Sequence, residues 1–168
     1  GGYMALRYAV RYPERVRALV LTNPFYRLNQ LPALLRRTYR RPTINALVVE
    51  NSGALFAGTI DAGIFRSTNN GTLWVQVNSG LSTLNILSLT ANSLSHVFAG
   101  TNAGVFRSTD KGASWQPINV GLSDPVIRSF VVNSIGLLFA GGGTNGIVFR
   151  SVESTSGTRY RCPAEWRR

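Results

Sequence analysis

The sequence holds one cysteine, Cys162, one histidine, His96, and seven acidic residues in a chain of 168. A lone thiol excludes an intrachain disulfide framework and any metal site built on several cysteines. Long apolar runs are missing as well. None approaches the ~18 residues of a membrane-spanning helix, and no stretch reads as a secretory leader. The chain opens on Gly1-Gly2 rather than Met, so it is expected to begin inside a longer one, and the missing leader says nothing of compartment. What remains, with 44% hydrophobic residues, is a globular composition sized for one domain or two small pieces of larger ones.

The shortage of acids leaves a net charge of +11, which would suggest a nucleic-acid partner if it sat on one folded face. It does not. Residues 1–43 carry nine Arg against Glu14, a net of +8. Residues 44–150 carry five cations (Arg66, Arg107, Lys111, Arg128 and Arg150) against Glu50, Asp61, Asp110 and Asp124, a net of +1. The last eighteen residues are at +2. A nucleic-acid footprint clusters on the recognition face, and here the excess lies in the flanks, so no nucleic-acid partner is expected.

What the sequence does have is a repeat. Phe-Ala-Gly recurs at Phe56, Phe98 and Phe139, spaced 42 and 41 apart. Phe-Arg-Ser recurs at Phe65, Phe106 and Phe149, spaced 41 and 43 apart. Trp74 and Trp115 lie 41 apart, as do Asn78-Ser-Gly-Leu and Asn119-Val-Gly-Leu. One period shared by four landmarks matches the ~40–45 residues of a four-stranded propeller blade. Within the second repeat, alternation and turn residues predict strands over 86–91, 96–101, 105–108 and 114–119. Gly58, Gly100 and Gly141 fall inside each second strand, where a glycine marks close approach of another backbone or a bulge.

Ser108-Thr-Asp-Lys-Gly-Ala-Ser-Trp115 fits the pattern S/T-x-D-x-G-x-S/T-W at all five specified positions. In this the chain resembles the Asp-box (BNR) repeats of sialidase-type and sortilin-like β-propellers. Ser67-Thr-Asn-Asn-Gly-Thr-Leu-Trp74 is a degenerate copy, with Asn69 for Asp and Leu73 for Ser or Thr, and the third copy fails after Ser151. The resemblance spans residues 44–151. The box itself reads as structural: Asp110 accepts backbone N–H groups to close a turn, Gly112 supplies a positive φ, and Trp115 buries its ring under the turn. A hard cation would want several oxygen ligands, and no second acid is near Asp110 in sequence. Asn69 can close the same turn.

The first 35 residues follow another pattern. Residues 3–12 have helical spacing, with Arg7, Arg11 and Arg15 on a solvent stripe, and residues 16–22 suit a buried parallel strand. Gly1-Gly2, helix, Tyr12-Pro-Glu-Arg-Val and Arg17-Ala-Leu-Val-Leu-Thr-Asn-Pro24 resemble the α/β-hydrolase family just downstream of its nucleophile elbow. The alignment puts the elbow serine before residue 1, and no catalytic residue carries over.

The expected organisation is a mainly β chain, an incomplete β-propeller of about three four-stranded blades with a short N-terminal α/β segment. Residues 1–35 form the hydrolase-like fragment, 36–43 a basic junction, 44–150 three Asp-box-type repeats, and 151–168 a divergent basic tail. The tail breaks register, with Trp166 out of place, and the third repeat is expected to lack its last strand. No catalytic, cofactor-binding or metal-binding residue is assigned. His96 falls at a strand start, the three repeat arginines pack over their Phe neighbours, and the turns at 60–63 and 141–146 bring no acids together. The expected function is a non-catalytic binding or scaffold module of a larger bacterial, extracytoplasmic protein. A carbohydrate or protein partner fits, and so does self-association through open blade faces. The alternatives are a piece of an α/β-hydrolase lacking its nucleophile, or of a propeller glycosidase. The second would need paired carboxylates or a Tyr nucleophile, whereas residues 44–150 contain no Tyr and one Glu.

Overall fold

The computed structural model describes residues 42–143, 146–152 and 166–167. The hydrolase-like fragment over 1–35, with its expected helix and strand, lies outside the described residues. Among those described, twelve strands follow one another: β1 (Ile44–Val49), β2 (Leu55–Thr59), β3 (Ile64–Ser67), β4 (Val75–Gln76), β5 (Ile86–Ala91), β6 (Val97–Thr101), β7 (Gly104–Ser108), β8 (Gln116–Pro117), β9 (Ile127–Val132), β10 (Leu138–Gly142), β11 (Ile147–Ser151) and β12 (Trp166–Arg167). They form three four-stranded antiparallel sheets, β1–β4, β5–β8 and β9–β12, each strand pairing with the next in the chain. No helix among the described residues is long and apolar enough to cross a membrane.

The core lies between the sheets. Phe56 and Ile64 of the first sheet pack with Ile86, Val97, Ala99, Phe106 and Trp115 of the second. Phe98, Val105 and Ile118 of the second pack with Ile127, Leu138, Ala140, Phe149 and Trp166 around the third. Each fully buried large side chain contributes ~1.5–3 kcal/mol, so stability resides in the two inter-sheet layers. The middle sheet is covered on both faces, and every residue of β6 and β7 is buried. The glycines of the first two second strands, Gly58 and Gly100, have the expected cause. A Cβ on Gly58 would stand 2.5 Å from Ile86 Cγ2, and one on Gly100 2.7 Å from the Ile127 carbonyl oxygen. The register of β1, β5 and β9 against the second strand also shifts beside that glycine, a bulge repeated in every sheet.

Two expectations need correction. The fourth strand of the second repeat pairs over Gln116–Pro117 alone, and the amides on its N-terminal side go elsewhere. Ser114 N donates to Asp110 Oδ1 at 2.9 Å, and Trp115 N donates to the Ser79 carbonyl at 2.8 Å. Pro117, with no N–H, is tolerated on this short edge. The third sheet does have its fourth strand: Ser151 pairs with Trp166 and Arg150 with Arg167. Trp166 follows Ser151 by 15 positions where Trp115 follows Ser108 by 7, so the local pattern is lost. The tertiary position is kept. Trp166 Nε1 donates to the Ile118 carbonyl at 2.6 Å and Trp166 N to the Val120 carbonyl at 2.9 Å, matching Trp115 Nε1 to Val77 at 2.8 Å and Trp115 N to Ser79.

Candidate functional site

The strand registers sort the turns into two ends. One end carries the β2–β3, β6–β7 and β10–β11 turns and the connections between sheets. The other carries the β1–β2, β5–β6 and β9–β10 turns together with the β3–β4 and β7–β8 turns. Candidate site residues have to be sought on these two rims, since the layers between are apolar.

On the second rim, Asp110 is spent on its own turn. Its Oδ1 accepts from Ser114 N at 2.9 Å and Ser108 Oγ at 2.8 Å, and its Oδ2 accepts from Ser114 Oγ at 2.5 Å. Ser108 Oγ in turn accepts from Gly112 N at 2.7 Å, with Gly112 at φ 86°, a conformation open to glycine without penalty. Slight burial works to raise the Asp110 pKa, but the bonds from Ser114 and Ser108 outweigh it and hold the carboxyl below its ordinary value. Asn69 closes the same turn, accepting Leu73 N at 2.8 Å and Ser67 Oγ at 2.9 Å, while Ser67 Oγ accepts Gly71 N at 2.9 Å. The tryptophan is placed differently from the sequence expectation. Trp115 does not merely lie under its own turn: its indole N–H crosses to Val77 of the preceding sheet. Trp74 has no described sheet before it, and its indole bonds its own turn at the Gly71 carbonyl, 3.0 Å away.

Glu50 is the buried carboxylate of this rim. Its oxygens accept Ser52 N at 2.9 Å, Ala54 N at 3.2 Å and the Ser52 hydroxyl. Burial pushes its pKa up, and the bonds from Ser52, Ser95 and Ala54 together bring it down to about 2. Asn92 and Asn133 take the same position in the next two sheets. Asn92 Oδ1 accepts Leu94 N and His96 N, both at 3.0 Å, and Asn133 Oδ1 accepts Ile135 N at 3.2 Å and Leu137 N at 2.8 Å. This Glu/Asn/Asn series was missed in the sequence because the residue type changes, although its spacing of 42 and 41 is the repeat period. His96, half-buried just before β6, has its pKa lowered by burial and then by the Arg107 charge. Arg66, Arg107 and Arg150 stand across from Phe56, Phe98 and Phe139 in register.

The first rim is held by a device whose residues the sequence marked without revealing their role. Asn78 Oδ1 accepts Ile64 N at 2.7 Å and its Nδ2 donates to the Ala62 carbonyl at 3.1 Å. Asn119 does the same to Val105 N and the Ala103 carbonyl, at 2.8 and 3.3 Å. Each asparagine clamps the preceding hairpin to the chain leaving the fourth strand. Asp61 sits exposed in the 60–63 turn, and Asp124 Oδ1 accepts Val126 N at 3.0 Å in the connection to β9. Asp61, Asp110 and Asp124 thus stand on separate turns. Among the described residues no three His, Cys, Asp or Glu side chains gather where they could hold a metal ion.

No protein-family model matches the chain, and no curated protein does. Solved structures do. A GH74 enzyme of Niastella koreensis is similar at 23% identity and a TM-score of 0.53, covering 73% of this chain and 21% of its own. PorZ, a surface component of the type-IX secretion system of Porphyromonas gingivalis, is similar at 20% identity and TM-score 0.54, with coverages of 69% and 18%. The extracellular domain of a hybrid two-component system of B. thetaiotaomicron is similar at 16% identity and TM-score 0.57, with coverages of 67% and 16%. These similar structures are β-propeller-type domains. The described chain is a segment of a β-propeller. Its three sheets are blades, and it spans about a fifth or less of the length of each of these three proteins.

Proposed function

We propose that this chain is a non-catalytic propeller module of the Asp-box type, part of a larger bacterial extracytoplasmic protein. Its blades would present their rim turns to a carbohydrate or protein partner. The observation that carries this reading is the use made of the acids. Glu50, Asp110 and Asp124 each accept a backbone N–H of their own turn. Glycoside hydrolysis needs two carboxyl groups facing one bond, ~5–9.5 Å apart, and carboxylates tied to separate turns are not free to converge. The Asp-box assignment is supported by the matching hydrogen bonds of the Asn69 and Asp110 turns. Extracytoplasmic placement is supported by the extracellular and surface origin of similar structures. In this proposal residues 1–35 are a hydrolase-like fragment without its nucleophile, 36–43 a basic junction, 44–150 the repeats and 151–168 a divergent tail, within which Ser151 and Trp166–Arg167 belong to the third blade.

The test is an assay of the full chain against a chromogenic short-chain ester, a fluorogenic sialoside and a chromogenic xyloglucan oligosaccharide. Ester cleavage needs an activated nucleophile with a base and an oxyanion hole, and no turnover above buffer is expected on any of the three. Turnover that survives purification and disappears in His96→Ala or Glu50→Gln would overturn the reading.

A further inference from the structure

The turns between third and fourth strands are built alike in the first two blades. The Asn69 carbonyl accepts from Thr72 N and the Asp110 carbonyl from Ala113 N, both at 3.2 Å. The two residues enclosed have positive φ in both turns, 53° and 80° at Asn70 and Gly71, 58° and 86° at Lys111 and Gly112. Each is a type I′ turn. They differ in one chemical respect. Asn70 is exposed and is followed by glycine, whereas Lys111 brings no side-chain amide to its own glycine.

An Asn-Gly pair can modify itself. The Gly71 nitrogen, on losing its proton to solvent, attacks Asn70 Cγ and closes a succinimide. The Cγ–Nδ2 bond breaks as the new bond forms, and Nδ2 takes up a proton and leaves as ammonia. Water then opens the ring at either carbonyl. Cleavage between Cγ and the Gly71 nitrogen gives aspartate. Cleavage between the main-chain carbonyl and that nitrogen gives isoaspartate, whose chain runs on through Cγ. The sum is asparagine plus water going to aspartate or isoaspartate plus ammonia. Two features of the closed turn oppose the attack. The first enclosed residue of a type I′ turn has ψ of about +30°, which sets the Gly71 nitrogen nearly anti to Asn70 Cβ and out of reach of Cγ. The Gly71 N–H is also held, donating to the Oγ of buried Ser67 at 2.9 Å.

We infer that Asn70 is a site of deamidation, and that it reacts from an opened form of its turn. Of the two turns, this is the one that opens more readily. Asp110 accepts from Ser114 N, Ser114 Oγ and Ser108 Oγ with a carboxylate, and such charge-assisted bonds are roughly twice as strong as neutral ones. Asn69 accepts from Leu73 N and Ser67 Oγ with a neutral amide. The two residues that make this copy degenerate, Asn69 and Leu73, therefore also weaken its closure. Isoaspartate at position 70 lengthens the main chain between Ser67 and Gly71 by one atom. The bonds from Gly71 N to Ser67 Oγ and from Trp74 Nε1 to the Gly71 carbonyl then lose their register. The reaction belongs to the turn, so neither a partner on the rim nor an enzymatic activity elsewhere would alter the inference.

The test is peptide mapping of the full chain by mass spectrometry after incubation in warm, mildly alkaline buffer, with and without guanidinium chloride. Fragment masses assign the change to a residue, and an isoaspartyl methyltransferase labels the isoaspartate. In denaturant Asn70 is expected to react about as fast as Asn145, which also precedes a glycine. In buffer alone Asn70 is expected to react more slowly, at a rate set by the open population of its turn. Asn69→Asp combined with Leu73→Ser completes the box, and is expected to slow the folded chain by roughly threefold to tenfold, the worth of one hydrogen bond. Ser67→Ala frees the Gly71 N–H and is expected to speed it. Lys111→Asn puts the same pair into the complete box, where position 111 is expected to react more slowly than Asn70 of the same molecule. Equal rates at Asn70 with and without denaturant, a folded chain that never reacts there, or a completed box that reacts no more slowly overturns the inference. Should Ser67→Ala fail to fold, the completed box, which strengthens the turn, decides.

Discussion

Glu50, Asn92 and Asn133 hold one position in three consecutive blades, and each turns side-chain oxygens onto two backbone N–H groups of the following turn. Only Glu50 is ionisable, so only the first blade carries pH dependence at this point. Its folded pKa of about 2 lies below the ordinary 4.5. The unfolded chain therefore binds the proton first, and the stabilisation is present above pH 4.5 and lost as the pH falls from there towards 2. Charge-assisted hydrogen bonds contribute ~1.5–3 kcal/mol each at most. Glu50→Asn, which copies the other two blades, is expected to keep the turn and flatten the loss of stability across that window. Urea titrations at pH 3, 5 and 7 measure it, and a variant with the parent's acid sensitivity would contradict the assignment.

At the scale of the element, the second strand of each blade is where the next blade presses closest. Gly58→Ala would place a methyl group 2.5 Å from Ile86 Cγ2, and overpacking of this kind costs ~1–3 kcal/mol. Gly141→Ala meets only the side chain of Ser129, which can turn away, so in the isolated chain its cost is expected to be far smaller. Combining Gly58→Ala with Ile86→Ala relieves the closest contact, leaving Cβ against Cβ at 3.1 Å, and a double-mutant cycle is expected to show strong coupling. Additive effects would mean that the glycine serves its own strand and not the junction. The glycine was legible in the sequence as a marker of close approach. Which side chain approaches it was not, because Ile86 lies 28 positions away and is brought there by blade stacking.

At the scale of the whole molecule, the tryptophans tie blade to blade. Trp115 and Trp166 are buried, and each donates its indole N–H to the blade before its own. Truncating a buried aromatic costs ~3–5 kcal/mol, whereas the Asp110 turn, exposed and local, is worth ~0.5–1.5 kcal/mol for a typical hydrogen bond. Trp115→Ala and Trp166→Ala are both expected to lower the denaturation midpoint well beyond Asp110→Ala. If Asp110→Ala proves the more damaging, the box has a role beyond its turn. If Trp166→Ala proves neutral, the third blade does not depend on its fourth strand.

The sequence by itself determined the period, the first three strands within it and the turn at 108–115. Those features are set by neighbours in the chain: alternation for a half-buried strand, a positive-φ glycine, and an Asp, Asn or Ser oxygen within four residues of the amide it caps. It also marked Asn78 and Asn119 by their recurrence. Only the tertiary structure decided what those asparagines clamp, because Ile64 and Val105 lie 14 positions upstream across a hairpin. It alone decided that Trp166 completes the third blade, since what that position requires is an indole reaching the Ile118 carbonyl, 48 residues away, and not any local spacing. It alone decided, too, which apolar side chains are left open. Ile44, Ile86 and Ile127 are the same residue at the same register, and they differ only in whether another blade stands against them.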